Sequence, residues 1–185
     1  PDGRAWSEGF TVTGTSTVLD AEPGQVVYAR VRGVNPGGVS FPSEVAGARA
    51  RIAGDVPVLV VDAFDRFETG QLEWGEVPWN IGAVRRLRTE RVNPNDIVVP
   101  HGETIAAAGW TFDSASSGRI GDLDLSGYRV VVWATGEEST ADETFSTAEQ
   151  SVIRDYWQGG GALWVTGAEV LWDLDHRGSD ADRAF

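Results

Sequence analysis

Apolar residues are arranged in two different ways along this chain. Near the start they alternate with polar ones. Val26, Tyr28, Arg30 and Arg32 interleave with Val27, Ala29, Val31 and Gly33, giving one apolar and one mixed face, the period of a half-buried strand. Shorter β-prone runs precede it at Phe10 to Thr13 and Thr17 to Leu19. Glu22-Pro23-Gly24-Gln25 and Asn35-Pro36-Gly37-Gly38 read as turns. Further along, the apolar residues become continuous. Val56 to Val61 runs unbroken into Asp62, Arg129 to Ala134 forms a second such stretch, and Ala162 to Thr166 a third. Continuous runs of this length predict strands buried on both faces, as in a parallel sheet covered by helices.

Helical signals lie between these runs. Ser146-Thr147-Ala148-Glu149 is a capping box, and Val152, Ile153, Tyr156 and Trp157 follow at helical spacing until Gly159-Gly160-Gly161. A second helix is expected over Glu103 to Ala108, with Gly109 after it; Pro94 and Pro100 obscure where it begins. Strands alternating with helices imply an α/β fold with right-handed crossovers. The stretch from Glu68 to Arg91 fits neither pattern and is expected to be an irregular excursion over the edge of the sheet, carrying Trp74 and Trp79.

Composition divides the chain in the same place as the patterning. Residues 1–50 hold four Arg and five acids, whereas residues 51–185 hold eleven Arg and twenty-three acids. We therefore expect a β segment over 1–50, a linker over 51–56 and an α/β domain over 57–185. The net charge of −13 disfavours nucleic acid as a partner, because a polyanion is repelled and no basic patch stands out. There is no Cys, which removes disulfides and thiolate chemistry. All fifteen basic residues are Arg, which we read as a codon-usage bias. No apolar run is long enough to span a bilayer, so membrane insertion is not expected. With no Met anywhere, the chain is expected to be an internal piece of a larger protein.

Ligands of open parallel sheets bind beyond the carboxyl ends of the strands, and this rule selects candidates without any motif. Asp62, Phe64 and Asp65 follow the first run; Gly136, Glu137, Glu138, Ser139 and Thr140 follow the second; Gly167, Ala168 and Glu169 follow the third. Residues 134–182 contain eleven acids and two Arg. Carboxylates gathered at one rim raise one another's pKa or require a cation, which suits acid–base catalysis or a hard metal such as Ca²⁺. Glu137, Glu138 and Glu169 are the catalytic candidates, with His101 as the one imidazole near a helix start. Asp62 and Asp65 are ligand-binding candidates. Asp173-x-Asp175 is a partial calcium-loop pattern, and His176 beside it reads as a solvated loop residue. Trp74 and Trp79 could stack on sugar faces. Asp142 and Glu143 read as acids favoured near a helix start. The Gly-x-Ser-x-Gly elbow, the phosphate loop and the His-Glu-x-x-His pair are absent from the sequence.

Two resemblances accompany this reading. Pro23-Gly24, Tyr28, Arg30, Val31, Asn35, Gly38, Ser40, Pro42 and Ser43 resemble the closing half of a fibronectin type III module. That family implies an all-β segment over about residues 9–50 in which Tyr28 forms a corner with the loop before it. Half of such a sandwich leaves an apolar face that must pack on a neighbour. The second resemblance rests on Val58 to Asp65, His101-Gly102, Phe112-Asp113-Ser114, Gly136 to Thr140, Thr144-Phe145-Ser146, Glu149-Gln150 and Gly160 to Asp175. Its most specific part is Thr166-Gly167-Ala168-Glu169 with Trp172-Asp173-Leu174-Asp175. Together they are similar to a domain of large secreted bacterial proteins often labelled N-acetylmuramoyl-L-alanine amidases or xanthan lyases. It implies a flavodoxin-like, class I glutamine-amidotransferase-like parallel sheet with flanking helices, truncated after Phe185. The amidotransferase Cys corresponds to the stretch read here as Gly167-Ala168-Glu169, so that nucleophile is missing.

These observations imply an accessory or interaction domain of a secreted or cell-surface protein that processes cell wall or polysaccharide. Its partners would be glycan or peptidoglycan and other domains of the parent chain. Two further expectations are a carboxylate-dependent hydrolase acting at the strand edge and a calcium-stabilised structural module.

Overall fold

The computed structural model describes residues 2–77, 79, 81–139 and 141–185. The chain opens with two nested hairpins. β1 (Val26–Ala29) pairs antiparallel with β4 (Ala46–Arg49), and β2 (Val34–Asn35) pairs with β3 (Gly38–Val39) at their far end. Next come β5 (Val58–Asp62), a hairpin of β6 (Glu73–Val77) and β7 (Gly82–Arg86), a single turn α1 (Thr89–Val92), and α2 (Val98–Ala107). The remainder is β8 (Phe112–Ser116), β9 (Val130–Gly136), α3 (Thr147–Gln158), β10 (Ala162–Gly167) and a short terminal α4 (Asp180–Ala184).

Four strands form one sheet in the order β10-β9-β5-β8, and each neighbouring pair is parallel. The chain leaves β5 for β8 on one side, then returns past β5 to β9 and continues outward to β10. Right-handed crossovers place connections that run in opposite directions on opposite faces. The two apolar clusters follow that rule. Val58 and Val60 point to one face and join Phe112, Val132, Val98 and Val99 of α2, and Tyr28 and Val45 of the first hairpin. Leu59 and Val61 point to the other and join Val131, Trp133, Ile120, Leu125, Phe145, and Ile153 and Tyr156 of α3. Alternate side chains of one strand thus serve two cores, which is why β5 has no polar position before its end.

The sequence expectations need four corrections. Three apolar runs mark β5, β9 and β10, but a fourth parallel strand, β8, has the mixed sequence Phe-Asp-Ser-Ala-Ser and reads as nothing in particular. It is an edge strand whose outer side is met by the first hairpin: the Gly47 amide donates to Ser114 Oγ at 2.7 Å, and Arg51 pairs with Asp113 at 2.7 Å. The Glu68–Arg91 excursion is not irregular, since most of it is the β6–β7 hairpin, with Trp74 opposite Arg85. The helix expected from Glu103 begins earlier, at Val98, because Pro100 occupies the first turn, where an amide proton would have no intrahelical partner. Tyr28 makes no corner with its own loop. Its hydroxyl donates to the Val99 carbonyl of α2 at 3.3 Å, and its ring lies 6.4 Å from that of Phe112.

Docking of the first hairpin requires a close approach at Gly102. A Cβ there would overlap the Phe112 ring and lie 2.9 Å from the Tyr28 hydroxyl, so α2 can sit on β1 and β8 only with glycine at this point. The capping box of α3 forms as expected, with the Ser146 amide donating to Glu149 Oε2 at 2.7 Å. Among the described residues no helix is long and apolar enough to cross a membrane.

Tyr28 ties the amino-terminal hairpin to the sheet through a shared core. Tyr28→Ala should cost about 3–5 kcal/mol in urea unfolding of the whole chain, and Tyr28→Phe about 1 kcal/mol. Two separate unfolding transitions, with the Ala change felt only in the first, would contradict that shared core.

Candidate carboxylate site and exposed aromatic hairpin

β5 ends in a charged residue that the fold cannot expose. Asp62 is hydrogen-bonded through its backbone between β8 and β9, opposite Ser116 and Ala134, and its side chain is only 4 % exposed. Oδ1 accepts the Phe64 amide at 3.1 Å, while Oδ2 is buried with no partner among the described residues. Burial is the largest influence on this carboxyl. The Phe64 N–H opposes it, the charges of Glu44, Asp65 and Asp96 reinforce it, and the pKa is pushed up to about 7.

The loop after β9 supplies a second group of the same kind. Gly136 adopts φ 58°, and a Cβ there would lie 2.6 Å from the Phe64 ring, so this backbone turns tightly against the loop after β5. Glu138 follows, 7 % exposed, with Oε1 accepting the Asp65 amide at 3.2 Å and Oε2 unpartnered among the described residues. Its pKa is also pushed up to about 7, first by burial, then by the neighbouring Asp142 carboxylate, and then by the charge of Asp65. Burial also pushes Asp142 upward, but the hydrogen bonds from Ser139 and the neighbouring Glu138 carboxyl outweigh it and hold Asp142 below the usual carboxylate range. Ser139 Oγ donates to Asp142 at 2.7 Å. Glu138 therefore holds a proton beside an ionised Asp142 at neutral pH more readily than a free glutamate does.

These groups flank β5 and β9, where the chain's direction across the sheet reverses. Open α/β sheets bind ligands at that position. The loops around it are tied together. Arg66 donates to the Glu137 carbonyl at 3.0 Å and pairs with Glu68, and Asn93 Nδ2 donates to the Phe64 carbonyl at 2.6 Å. On the other side the Ala168 amide donates to the Gly136 carbonyl at 2.8 Å.

The structure thus places Asp65 within electrostatic reach of both Asp62 and Glu138. Glu137 is adjacent but points to solvent, and its backbone carbonyl is the part engaged by Arg66. Glu169 is exposed in the loop after β10, at φ 64°, a left-handed conformation uncommon outside glycine. Thr140 lies outside the described residues. His101 Nδ1 lies 2.8 Å from the Ile97 carbonyl, so the ring is fastened to its own helix. Asp173 Oδ2 accepts the Thr144 amide at 2.7 Å, and Asp175 lies 3.9 Å from Arg183, so each partner of the calcium-like pair has a different structural neighbour. Among the described residues no three carboxylate or imidazole groups come together to hold a metal ion, so the calcium expectation has no assembled donor set.

Sequence reasoning missed two members of the acidic cluster. Glu44 belongs to the amino-terminal segment, is half-buried, and has a pKa raised chiefly by burial, with Ser116 opposing the rise. Asp96 precedes α2 and acts on Asp62 only through its charge. Neither carries a local signal, because both reach the site through tertiary packing.

Access to the buried carboxyls is restricted. A cleft of about 530 Å³ lies at the amino-terminal ends of β9 and β10, lined by Tyr128, Arg129, Asp155 and Tyr156. Another of about 410 Å³ lies between the first hairpin and β8. Neither is lined by Asp62 or Glu138. Two strongly exposed tryptophans lie elsewhere, on the β6–β7 hairpin, where Trp74 is 70 % and Trp79 90 % exposed, with Ile81 also exposed. Trp79 adopts φ 74° at the tip.

Taken together, these features define a four-stranded parallel α/β sheet with buried carboxyls at its switch point and an aromatic hairpin outside it. Comparison with protein-family models, curated proteins and solved structures finds no match.

Raised carboxyl pKa values make stability depend on pH with a definite sign. Folded Asp62 and Glu138 keep protons that the unfolded chain releases, so their contribution is fully present below about pH 4 and is lost as pH rises towards about 7. Stability should fall across that window by no more than about 1.4 kcal/mol per pH unit for each group. Urea unfolding at a series of pH values checks this. Asp62→Asn should flatten the slope, and an unchanged slope in that variant would remove Asp62 as a cause.

Proposed function

We propose that this chain is an interaction region of a secreted bacterial protein that processes cell wall or polysaccharide, and that it meets glycan through the β6–β7 hairpin. The observation carrying this reading is the strong exposure of Trp74 and Trp79 on a regular two-stranded support. Aromatic rings that are not needed for a core lie flat on apolar sugar faces, with one wet edge. The strand order second, first, third, fourth supports a flavodoxin-like, glutamine-amidotransferase-like domain. The β1–β4 hairpin with buried Tyr28 supports a partial fibronectin type III segment ahead of it. With Gly167-Ala168-Glu169 after β10, the domain lacks the Cys of the amidotransferases it resembles.

A carboxylate-dependent hydrolase is the second reading, favoured by two buried carboxyls with pKa values near 7 at the switch point. A proton held at Glu138 and a charge at Asp142 are the ingredients of an acid and a base. Asp62 and Glu138 line neither of the two clefts described above, which places this reading second.

Sedimentation of the chain with insoluble peptidoglycan or polysaccharide tests the first reading. Trp74→Ala and Trp79→Ala should each weaken retention by about fivefold, corresponding to about 1 kcal/mol per stacked ring. Unchanged retention in the double variant would remove the hairpin from the contact. For the second reading, Glu138→Gln and Asp62→Asn should abolish any turnover of muropeptides or polysaccharides by the parent protein, and unaltered turnover would end it.

A further inference from the structure

The amino-terminal hairpin reaches the switch point by running along β8. Arg51 pairs with Asp113, the Gly47 amide donates to Ser114 Oγ, and Ser116 acts on the Glu44 carboxyl. These three points set β4 and its lead-in antiparallel to β8. Ser116 is the register partner of Asp62, so Glu44 arrives beside the end of β5. A second connection runs through Asn93, which is 1 % exposed. Its Nδ2 donates to the Phe64 carbonyl at 2.6 Å, and its Oδ1 accepts the Asn95 amide at 2.9 Å. Asn95 adopts φ 58°, and its carbonyl accepts the Val45 amide at 2.8 Å. Three hydrogen bonds in series thus fasten the loop after β5, the lead-in to α2 and the lead-in to β4.

Acids flank this series along its length. Asp62 and Asp65 lie either side of Phe64, Asp96 follows Asn95, and Glu44 precedes Val45. β8 and β9 place only Ser116 and Ala134 opposite Asp62. The basic groups of the surrounding elements are engaged elsewhere. Arg66 pairs with Glu68, Arg88 and Arg91 lie beside Glu73, Arg49 donates to the Gly24, Ala106 and Trp110 carbonyls, and His101 Nδ1 lies beside the Ile97 carbonyl. We propose that the junction is a charge-operated latch: with Asp62 and Glu44 protonated, the Asn93–Asn95–Val45 series holds β4 against β8, and ionisation of these carboxyls releases β4 and its lead-in from the sheet edge. Burial is the largest influence on both groups. It raises Asp62 to about 7, with the charges of Glu44, Asp65 and Asp96 adding to the rise, and it raises Glu44 against the opposing Ser116. Lifting Glu44 into water ends its own burial and removes its charge from Asp62. The released state therefore binds fewer protons than the closed one, so release grows as pH rises from about 4 to about 7 and levels off above.

Native-state hydrogen exchange of the full chain, in low urea and at a series of pH values, separates a local release from unfolding of the whole sheet. After division by intrinsic exchange rates, the Val45 and Gly47 amides should open through a step with little urea dependence. That opening should grow at least about tenfold between pH 5 and pH 7.5. Glu44→Gln and Asp62→Asn should each shrink the growth, and Glu44→Gln, a change at a half-buried position, carries the test if the Asp62 variant does not fold. Exchange of Val45 and Gly47 only together with the β5 amides, with the urea dependence of complete unfolding, would overturn the latch. A local opening indifferent to pH, or one whose pH response survives in Glu44→Gln, would overturn it equally.

Discussion

Burial of β5 on both faces is the constraint on which the rest of the structure depends. All five of its residues are buried, and its neighbours on both sides are parallel. Parallel neighbours require long crossovers, and these deliver α2 to one face and α3 to the other. Val58 and Val60 hold the first layer, Leu59 and Val61 the second. Because the strand has no solvent side, the residue that ends it inherits the same environment. Asp62 therefore keeps a carboxyl in a place that disfavours charge, and the unusual protonation at the strand edge follows from the packing beneath it.

The amino-terminal hairpin belongs to the same physical unit as the sheet. Tyr28 and Val45 sit in the cluster built around Val58 and Phe112, and Glu44 adds its charge near Asp62. The apolar face of that hairpin is covered by α2 and β8. The result is a sheet whose β8 edge is shielded, with a hydrogen bond from Gly47 and an ion pair from Arg51 standing where a further strand would otherwise pair.

Legibility in the sequence followed burial. β5, β9 and β10 could be read because a strand covered on both sides admits little but apolar residues. α3 could be read from its own capping box, a local device. β8 could not, because an edge strand with Ser114 and Asp113 facing a hairpin is polar for tertiary reasons. The β6–β7 hairpin was hidden for the opposite reason: its exposed Trp and Arg obey no core period. At the site, Asp62 and Glu138 followed from the rule that loops after parallel strands converge. His101 lies on α2, with Nδ1 held beside the Ile97 carbonyl one turn earlier. Glu44 and Asp96 were invisible, as groups that act only through space leave no pattern in a linear chain.

The molecule keeps its perturbed carboxyls inside and the Trp74 and Trp79 rings of the β6–β7 hairpin outside, and recognition is assigned to the outside. Chemical-shift mapping of the labelled chain during titration with soluble peptidoglycan or polysaccharide fragments tests that assignment most directly. Shifts concentrated in residues 67–86, with the backbone around Trp74 and Arg85 moving first, are the predicted result. Shifts centred on residues 62–65 and 136–142, with the hairpin unmoved, would contradict it and return the function to the buried carboxyl edge.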